Sequence, residues 1–264
     1  MNLYIHTESE WRKQIENRLK EEGIVYEKSS VRELGKRVDA LLFGEEQDAM
    51  EWIECYLFPF EQSGYLTARQ KLELMLYTEE KRQWKGETGT LLSKLYAGNE
   101  QITEKEIEEL YLKTRRKGVF LSREEKREFI VYRMVGWLKD DLFSILLRLG
   151  GDEILVGECC PCKDAKEQDA PERRIGIRKW GRVFRFSFLQ FASEEELERS
   201  IRNQVSKEKR GEITIQSPVW QREREDGTLL YAIRPPASGY WGMKIVPGNT
   251  EGRGKVEKDR ICRI

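Results

Sequence analysis

One long apolar segment, residues 122–149, constrains the fold of this chain more than any other feature of the sequence. Ser122 and Glu125 have the spacing of a helix capping box at its start, and a Gly-Gly pair follows its end. Eight apolar residues recur at steps of three and four: Val131, Met134, Val135, Leu138, Leu142, Ile145, Leu146 and Leu149. Because other apolar residues such as Trp137 lie off that face, we predict one helix covered on several sides, with Trp137 and Leu146 buried.

The rest of residues 1–150 is also predicted to be helical. Apolar residues recur at helical spacing in six further segments, which are residues 7–23, 30–44, 49–59, 67–83, 91–96 and 103–118. Short alternating runs at Leu3–Ile5 and Ile24–Tyr26 flank the first of these helices and indicate a small βαβ start. The short loops between the helices are typical of antiparallel pairs. We therefore predict a mainly helical domain over residues 1–150.

The apolar pattern changes to a period of two after Gly151. Alternation predicts strands at residues 153–157, 175–177, 184–188, 213–219, 229–233 and 241–245. Tight turns are predicted at 179–182 and at Asp226-Gly227, and Ser193 caps a helix that extends to about Lys207. The order β-β-β-α-β-β-β predicts an antiparallel β domain with one helix over residues 151–248, so the fold class is α+β. Residues 249–264 are rich in glycine and charge, and we predict a flexible tail.

The charges balance overall but differ along the chain. The sequence contains 47 Lys and Arg and 47 Asp and Glu. Residues 171–264 hold 20 basic and 13 acidic side chains, which leaves 27 basic and 34 acidic side chains in residues 1–170. An acidic first part and a basic second part predict a basic surface on the second part, or attraction between the two.

The sequence predicts a cytoplasmic protein without a membrane partner. No stretch reaches the roughly 20 consecutive apolar residues that a membrane-spanning helix needs. The N-terminus has neither a positively charged start nor a cleavage pattern typical of a signal peptide. Five cysteines, an odd number, are then expected to be reduced thiols.

Basic and aromatic residues of the second part form a candidate nucleic-acid-binding surface. If Phe184 and Phe186 face the core, alternation places Arg185 on the outer face of the sheet. The candidate binding residues, most of them assigned to the outer face by the same alternation, are Arg178, Arg182, Arg185, Arg222, Arg224, Arg234, Lys244, Trp220 and Tyr240. Such a face can pair with phosphates and stack on bases. The alternative is that these charges only keep exposed strands soluble.

Three cysteines, Cys159, Cys160 and Cys162, form a candidate metal or redox site. Thiolates close together on a loop can bind Zn²⁺, but a structural site needs four ligands at separations such as C-x₂-C. The fourth ligand here would have to be Cys262, because the only histidine is His6. The alternative is a loop with reduced thiols, and we expect no cofactor.

No motif in the sequence identifies a reaction. A glycine-rich phosphate loop, a nucleophile elbow and an HExxH helix are all absent from the sequence. Three classes of function stay open, and the first is preferred: a non-enzymatic intracellular interaction or regulatory protein. The second is a nucleic-acid-binding protein that uses the basic sheet, and the third is an enzyme with an unfamiliar site near Cys159.

Overall fold

The fold is α+β, with helices in the first part of the chain and a sheet in the second. The structure is a computed structural model that describes residues 8–26, 29–44, 49–84, 91–115, 121–138, 141–161, 170–208 and 211–248. The helices are α1 Glu8–Glu21, α2 Val31–Phe43, α3 Met50–Trp52, α4 Ala68–Trp84, α5 Leu91–Ala97, α6 Glu104–Arg115, α7 Arg123–Leu138, α8 Asp141–Arg148 and α9 Glu194–Ser206. Helix α3 continues as a π-helical turn, Ile53–Leu57, and short 3₁₀ turns lie at Ser63–Tyr65 and Pro171–Arg173.

The strands form one seven-stranded mixed sheet. They are β1 Gln101–Ile102, β2 Glu153–Gly157, β3 Ile175–Lys179, β4 Arg182–Phe186, β5 Val219–Glu223, β6 Leu229–Ile233 and β7 Gly242–Val246. Their order across the sheet is β1-β4-β3-β2-β7-β6-β5. All described pairs are antiparallel except β1 with β4, which is parallel. The predicted order β-β-β-α-β-β-β is confirmed for β2 to β7, and β1 is an additional strand from the helical part.

The segment 122–149 is described as two helices, α7 and α8, and not as one. Its capping box is confirmed, because the Glu125 N–H donates to Ser122 Oγ at 3.2 Å and the Ser122 N–H donates to Glu125 Oε2 at 2.9 Å. Residues 139 and 140, between the two helices, lie outside the described residues. Trp137 and Leu146 are buried, as predicted.

The most enclosed helix is α4, whose residues 70–79 are all buried. The sequence indicated that only its apolar residues would face the core, but Lys71 and Glu73 are buried as well. Lys71 pairs with Glu108 of α6, and Glu73 pairs with Arg133 of α7. Buried charges are tolerated when they are paired, so α4 can be covered on all sides despite its composition.

The described residues divide into two compact units. The first comprises residues up to Thr78 together with Glu108–Asp141, and its core contains Trp11, Leu42 and Phe129. The second comprises Glu79–Ile107 and the described residues from Leu142 onward, and it includes the sheet. The predicted division into a mainly helical domain, residues 1–150, and a β domain, residues 151–248, stays a prediction. The predicted flexible tail, residues 249–264, lies outside the described residues.

Two strand predictions differ from the structure. Ile24–Tyr26 is not a strand, and Leu3–Ile5 lies outside the described residues, so the βαβ start is not confirmed. The strand predicted at 213–219 begins only at Val219. Before it, the Thr214 N–H donates to Ser217 O at 3.2 Å and the Ser217 N–H donates to Thr214 Oγ1 at 3.1 Å. These local bonds form a turn that competes with strand pairing.

The register of the sheet defines an inner and an outer face. The inner face carries buried apolar side chains: Ile102, Ile154, Val156, Ile175, Ile177, Phe184, Phe186, Leu230, Ala232, Met243 and Ile245. Helix α5 contributes Tyr96, whose ring centroid lies 4.8 Å from that of Phe184. The outer face carries Glu153, Arg178 and Lys244. No helix in the described part of the chain combines the length and apolar character needed to cross a membrane.

Candidate interaction surface at the β3–β4 turn

The turn between β3 and β4 presents an exposed tryptophan on an unfavourable backbone conformation. Two residues, Trp180 and Gly181, connect the paired residues Lys179 and Arg182. Both have positive φ, 49° for Trp180 and 77° for Gly181, as in the two-residue type I′ turn. A residue with a Cβ pays roughly 1–2 kcal/mol for the left-handed conformation. Trp180 nevertheless occupies this position and is 64% exposed.

Asp152, just before β2, holds this turn in place. The Trp180 N–H donates to Asp152 Oδ2 at 2.8 Å, and Lys179 Nζ donates to Asp152 Oδ1 at 2.9 Å. The Asp152 N–H donates to Arg178 O at 2.7 Å, which fixes the carboxylate beside the turn. Hydrogen bonds to a charged acceptor are stronger than neutral ones, so they can offset the cost of the backbone conformation.

Tyr96 supports the tryptophan ring from the side of α5. The two ring centroids lie 6.1 Å apart with an interplanar angle of 80°, an edge-to-face arrangement. The Tyr96 hydroxyl donates to Leu149 O. Burial raises the pKa of Tyr96, so the hydroxyl stays protonated and keeps this bond. Tyr96 therefore supports one side of the Trp180 ring, and the rest of the ring surface faces solvent.

The basic residues that flank the tryptophan are paired with carboxylates or carbonyl groups. Arg182 Nε lies 3.2 Å from Glu100 Oε1, and its Nη2 donates to Gly98 O at 3.3 Å. Lys179 pairs with Asp152 as described above, and its Nζ lies 5.8 Å from the centroid of the Trp180 ring. The surface that we call the Trp180 turn therefore comprises an exposed indole ring, its support Tyr96 and two exposed ion pairs.

The nine residues predicted to bind nucleic acid do not share one face of the sheet. Arg178, Arg185 and Lys244 lie on the outer face. Trp220 is opposite Ala232 and Arg222 is opposite Leu230, which places both on the inner side of the edge strand β5. The remaining four lie in or near turns: Arg182, Arg224, Arg234 and Tyr240. For Trp220 and Arg222 the predicted outer face was wrong, because the alternation was counted from Ile213, which precedes β5.

Most of these cations already contact partners. Lys244 Nζ lies 2.7 Å from Glu153 Oε1, and Arg178 Nη1 lies 3.3 Å from the other oxygen of that carboxylate. Arg224 Nε donates to Glu208 Oε1 at 2.7 Å. Two contacts involve aromatic rings: Arg234 lies 4.8 Å from the Trp241 centroid, and Arg174 lies 5.0 Å from the Tyr240 centroid. Within the described residues, Arg222 makes no ion pair.

Arg185 was expected to be exposed and is buried. The segment 158–161 after β2 folds back over the outer face, and Arg185 donates to the carbonyl oxygen of Pro161. Two glycines leave room for this segment. A Cβ at Gly242 would lie 2.7 Å from Cys159 N, and a Cβ at Gly176 would lie 3.1 Å from Cys160 Sγ. The alternation of β4 was read correctly, but the cover over its outer face comes from a distant segment.

The same segment contains two of the candidate metal ligands. Cys160 is buried and Cys159 is half-buried. Burial, together with the nearby Glu158 carboxylate, raises the pKa of Cys159 to about 12. This thiol is protonated at neutral pH, whereas the thiolate is the form that attacks electrophiles or binds metals.

The metal prediction depends on residues beyond the described part of the chain. Cys162, Cys262 and His6 all lie outside it. The described residues contain no group of three or more His, Cys, Asp or Glu side chains arranged to hold a metal ion. The candidate set of Cys159, Cys160 and Cys162 therefore stays a prediction.

Sequence reasoning placed the hairpin turn correctly but did not identify Trp180 as a site residue. The sequence did contain one indication that position 180 is unusual. Asn or Asp usually precedes the glycine of such a turn, whereas a tryptophan precedes Gly181 here. Asp152 carried no signal, since its contact with the turn is set by the pairing of β2 with β3. No protein-family model matches this chain, and no curated protein matches it significantly.

Proposed function

We propose that this chain is a non-enzymatic interaction protein of the cytoplasm and that it binds a partner protein through the Trp180 turn. The observation that carries the proposal is a tryptophan that is largely exposed while its backbone is held in a left-handed conformation. Unusual backbone conformations persist where surrounding contacts enforce them, and they occur often at functional positions. A turn that needed only to connect two strands would be more stable with Asn at this position.

The energetics of the Trp180 turn suit protein binding. Tryptophan, tyrosine and arginine are the residue types most enriched among those that dominate binding energy. The indole ring rests against Tyr96, so part of its freedom is already lost before a partner binds. Because ordering a side chain at an interface costs about 0.5–1.5 kcal/mol, a ring that is already positioned gains affinity.

The surroundings of the ring indicate what kind of partner fits. The cations at positions 179 and 182 are each paired with a carboxylate, so the rim is polar but carries little net charge. The matching surface of a partner is an apolar pocket that receives the indole ring. Polar residues around that pocket would face the polar rim of the Trp180 turn. The free thiols Cys55, Cys159 and Cys160 are compatible with a reducing compartment.

The test compares two exposed aromatic residues. Tagged wild-type chain, Trp180→Ala and Tyr65→Ala are purified from their native cytoplasm, and bound proteins are quantified by mass spectrometry. Tyr65 is the matched control because it is 77% exposed and belongs to the first unit. We expect at least one protein to be lost only with Trp180→Ala.

That protein is then purified, and its affinity for the three chains is measured by calorimetry. We expect Trp180→Ala to weaken binding about 30-fold, the effect of losing roughly 2 kcal/mol at a central contact. Equal recovery of every bound protein with wild type and Trp180→Ala would contradict the proposal.

Nucleic-acid binding is the second candidate, and one observation favours it. Trp220 and Arg222 lie on the same side of the edge strand β5, and Arg222 is exposed without an ion pair among the described residues. A ring that stacks on a base next to a cation that contacts phosphate is the usual arrangement for single strands. Fluorescence anisotropy with a labelled 20-nucleotide single strand should then show binding that weakens with salt and with Arg222→Glu. Absence of binding at 50 mM salt would exclude this candidate.

A further inference from the structure

The first unit contains a stack of three aromatic rings that runs from the core to the surface. Trp11 and Trp52 are nearly parallel, with centroids 5.0 Å apart and an interplanar angle of 15°. Trp52 and Tyr56 follow with centroids 5.3 Å apart and an angle of 35°. Exposure rises along the stack from 1% for Trp11 to 60% for Tyr56, with Trp52 intermediate. The last ring is therefore presented to solvent on a rigid aromatic base.

The stack lies at a π-helical turn. Residues Ile53–Leu57 form the turn, and the Phe58 N–H donates to Ile53 O at 2.7 Å. Trp52 and Tyr56 are four residues apart, a spacing that places side chains on the same face of a helix. π-Helical turns are rare and occur frequently at functional sites.

The segment that carries the stack is rich in carboxylates. Glu51 directly precedes Trp52, is exposed and makes no ion pair within the described residues. Glu54 lies 2.8 Å from Lys126 Nζ, and the same ammonium group also contacts Glu61 at 2.9 Å. Glu51 is therefore an exposed carboxylate of the segment that also presents Tyr56. Carboxylates and the faces of aromatic rings both attract cations.

The first unit already combines these elements twice with an arginine. Arg127 lies 4.9 Å from the centroid of Phe43 while its Nε and Nη2 each donate to Asp39 at 2.7 Å. Arg133 lies 4.6 Å from the centroid of Trp137 and pairs with Glu73. In each case a planar guanidinium covers a ring and contacts a carboxylate, which an ammonium group cannot do in the same way.

We propose that the exposed face of Tyr56, together with the exposed Glu51 of the same helical segment, binds an arginine side chain from a basic segment of another protein. The surface has the ring and the carboxylate that accompany Arg127 and Arg133, and charge complementarity selects the cation. Arginine is preferred over lysine because a guanidinium stacks flat on the ring and can donate two parallel hydrogen bonds to a carboxylate. This site belongs to the first unit and does not depend on the Trp180 turn.

The test uses the full chain and three labelled twelve-residue peptides of alternating glycine with arginine, lysine or citrulline. Citrulline keeps the planar shape of arginine but removes its charge. In anisotropy titrations at low salt, we expect the arginine peptide to bind most tightly, the lysine peptide several-fold more weakly, and the citrulline peptide not measurably. Equal binding of the arginine and lysine peptides, or binding of the citrulline peptide, would overturn the proposal.

Variants locate the site. Tyr56→Ala and Glu51→Gln should each weaken binding of the arginine peptide about three- to fivefold, the range of an exposed cation–π contact or ion pair. Tyr65→Ala should leave it unchanged and acts as the matched control for loss of an exposed aromatic ring in the same unit. Because the side chains of Tyr56 and Glu51 are exposed, these variants should fold normally, which circular dichroism verifies. If Tyr56→Ala bound the arginine peptide as tightly as wild type, the site would lie elsewhere and the proposal would fail.

Discussion

Charged side chains have different roles in helix α4 and in the Trp180 turn, although both regions pair cations with carboxylates. In the first unit, Arg133 is 4% exposed and its partner Glu73 lies on a helix that is buried on all sides. In the second unit, the side chains of Arg182 and Glu100 are 45% and 41% exposed. Removal of Arg133 leaves the buried Glu73 carboxylate without its buried partner, whereas water solvates the remaining charge at the turn.

This difference explains why ion pairs fix the fold in one region and leave a surface available in the other. The α4 pairs satisfy the buried charges of Lys71 and Glu73, so their loss acts on the free energy of unfolding. The pairs at the turn contribute little to that free energy but neutralise the rim around an exposed indole ring. A partner can therefore cover the turn without first removing unpaired charges from water.

The largest effect is expected from Arg133→Ala. This change leaves the buried Glu73 with its contact to the half-buried Arg69, whose Nε lies 3.2 Å from Glu73 Oε1. It also removes the contact between the guanidinium and Trp137. We expect the free energy of unfolding, measured by urea denaturation, to fall by about 3 kcal/mol.

The control for Arg133→Ala removes both charges. In Glu73→Gln combined with Arg133→Met, both buried charges are removed, the side chain of Arg69 keeps 29% exposure to water, and most of the side-chain volume is kept. We expect this double variant to be clearly more stable than Arg133→Ala alone. A loss of less than about 1 kcal/mol for Arg133→Ala would show that α4 and the turn do not differ in this respect.

The sequence predicted those elements whose cause is local. Ser30 before α2 and Ser193 before α9 each accept a hydrogen bond from the N–H three residues later, as their spacing indicated. These caps need only four consecutive residues, so no distant contact can change them. The same holds for the hairpin turn at Asp226, where the Thr228 N–H donates to Asp226 Oδ1 at 2.9 Å.

Elements that depend on distant contacts could not be predicted in the same way. The burial of Lys71 depends on Glu108, which is 37 residues away, and so the polar residues of α4 resembled an exposed face. Strand β1 has two residues and exists because it pairs with β4. The sides on which Trp220 and Arg222 lie depend on the register of β5 with β6. At the candidate site, the turn depends on neighbouring residues and could be predicted. The contacts from Tyr96 and Asp152 come from distant parts of the sequence and could not.

At the turn, we expect Trp180→Asn to raise the free energy of unfolding, by less than Arg133→Ala lowers it. Asparagine adopts positive φ more readily than tryptophan, and Asn-Gly is the preferred pair for a type I′ turn. We expect the free energy of unfolding to rise by about 1 kcal/mol, the lower end of the cost of a left-handed residue. Alanine lacks the short polar side chain that lets asparagine form local hydrogen bonds in the left-handed conformation, so Trp180→Ala should show no comparable gain.

The Trp180→Asn variant also shows whether the tryptophan is retained for binding at the expense of stability. If the tryptophan is retained for a partner, the variant should gain stability and lose that partner, the exchange expected where a functional residue is strained. Thermal and urea denaturation measure the first effect, and calorimetry with the purified partner measures the second. A variant that lost stability would show that the ring contributes more to the fold than its backbone costs.

The smallest effect is expected for the exposed pair Arg182 and Glu100. A double-mutant cycle with Arg182→Ala and Glu100→Ala should give a coupling free energy of about 0.5 kcal/mol or less, because both side chains are partly hydrated. That coupling should shrink further at about 1 M salt, where the screening length is roughly 3 Å, while the effect of Arg133→Ala should change little. A coupling well above 1 kcal/mol that resisted salt would mean that the turn, like α4, depends on its ion pairs. The neutral rim would then be part of the fold, and a partner that displaced it would have to compensate for its loss.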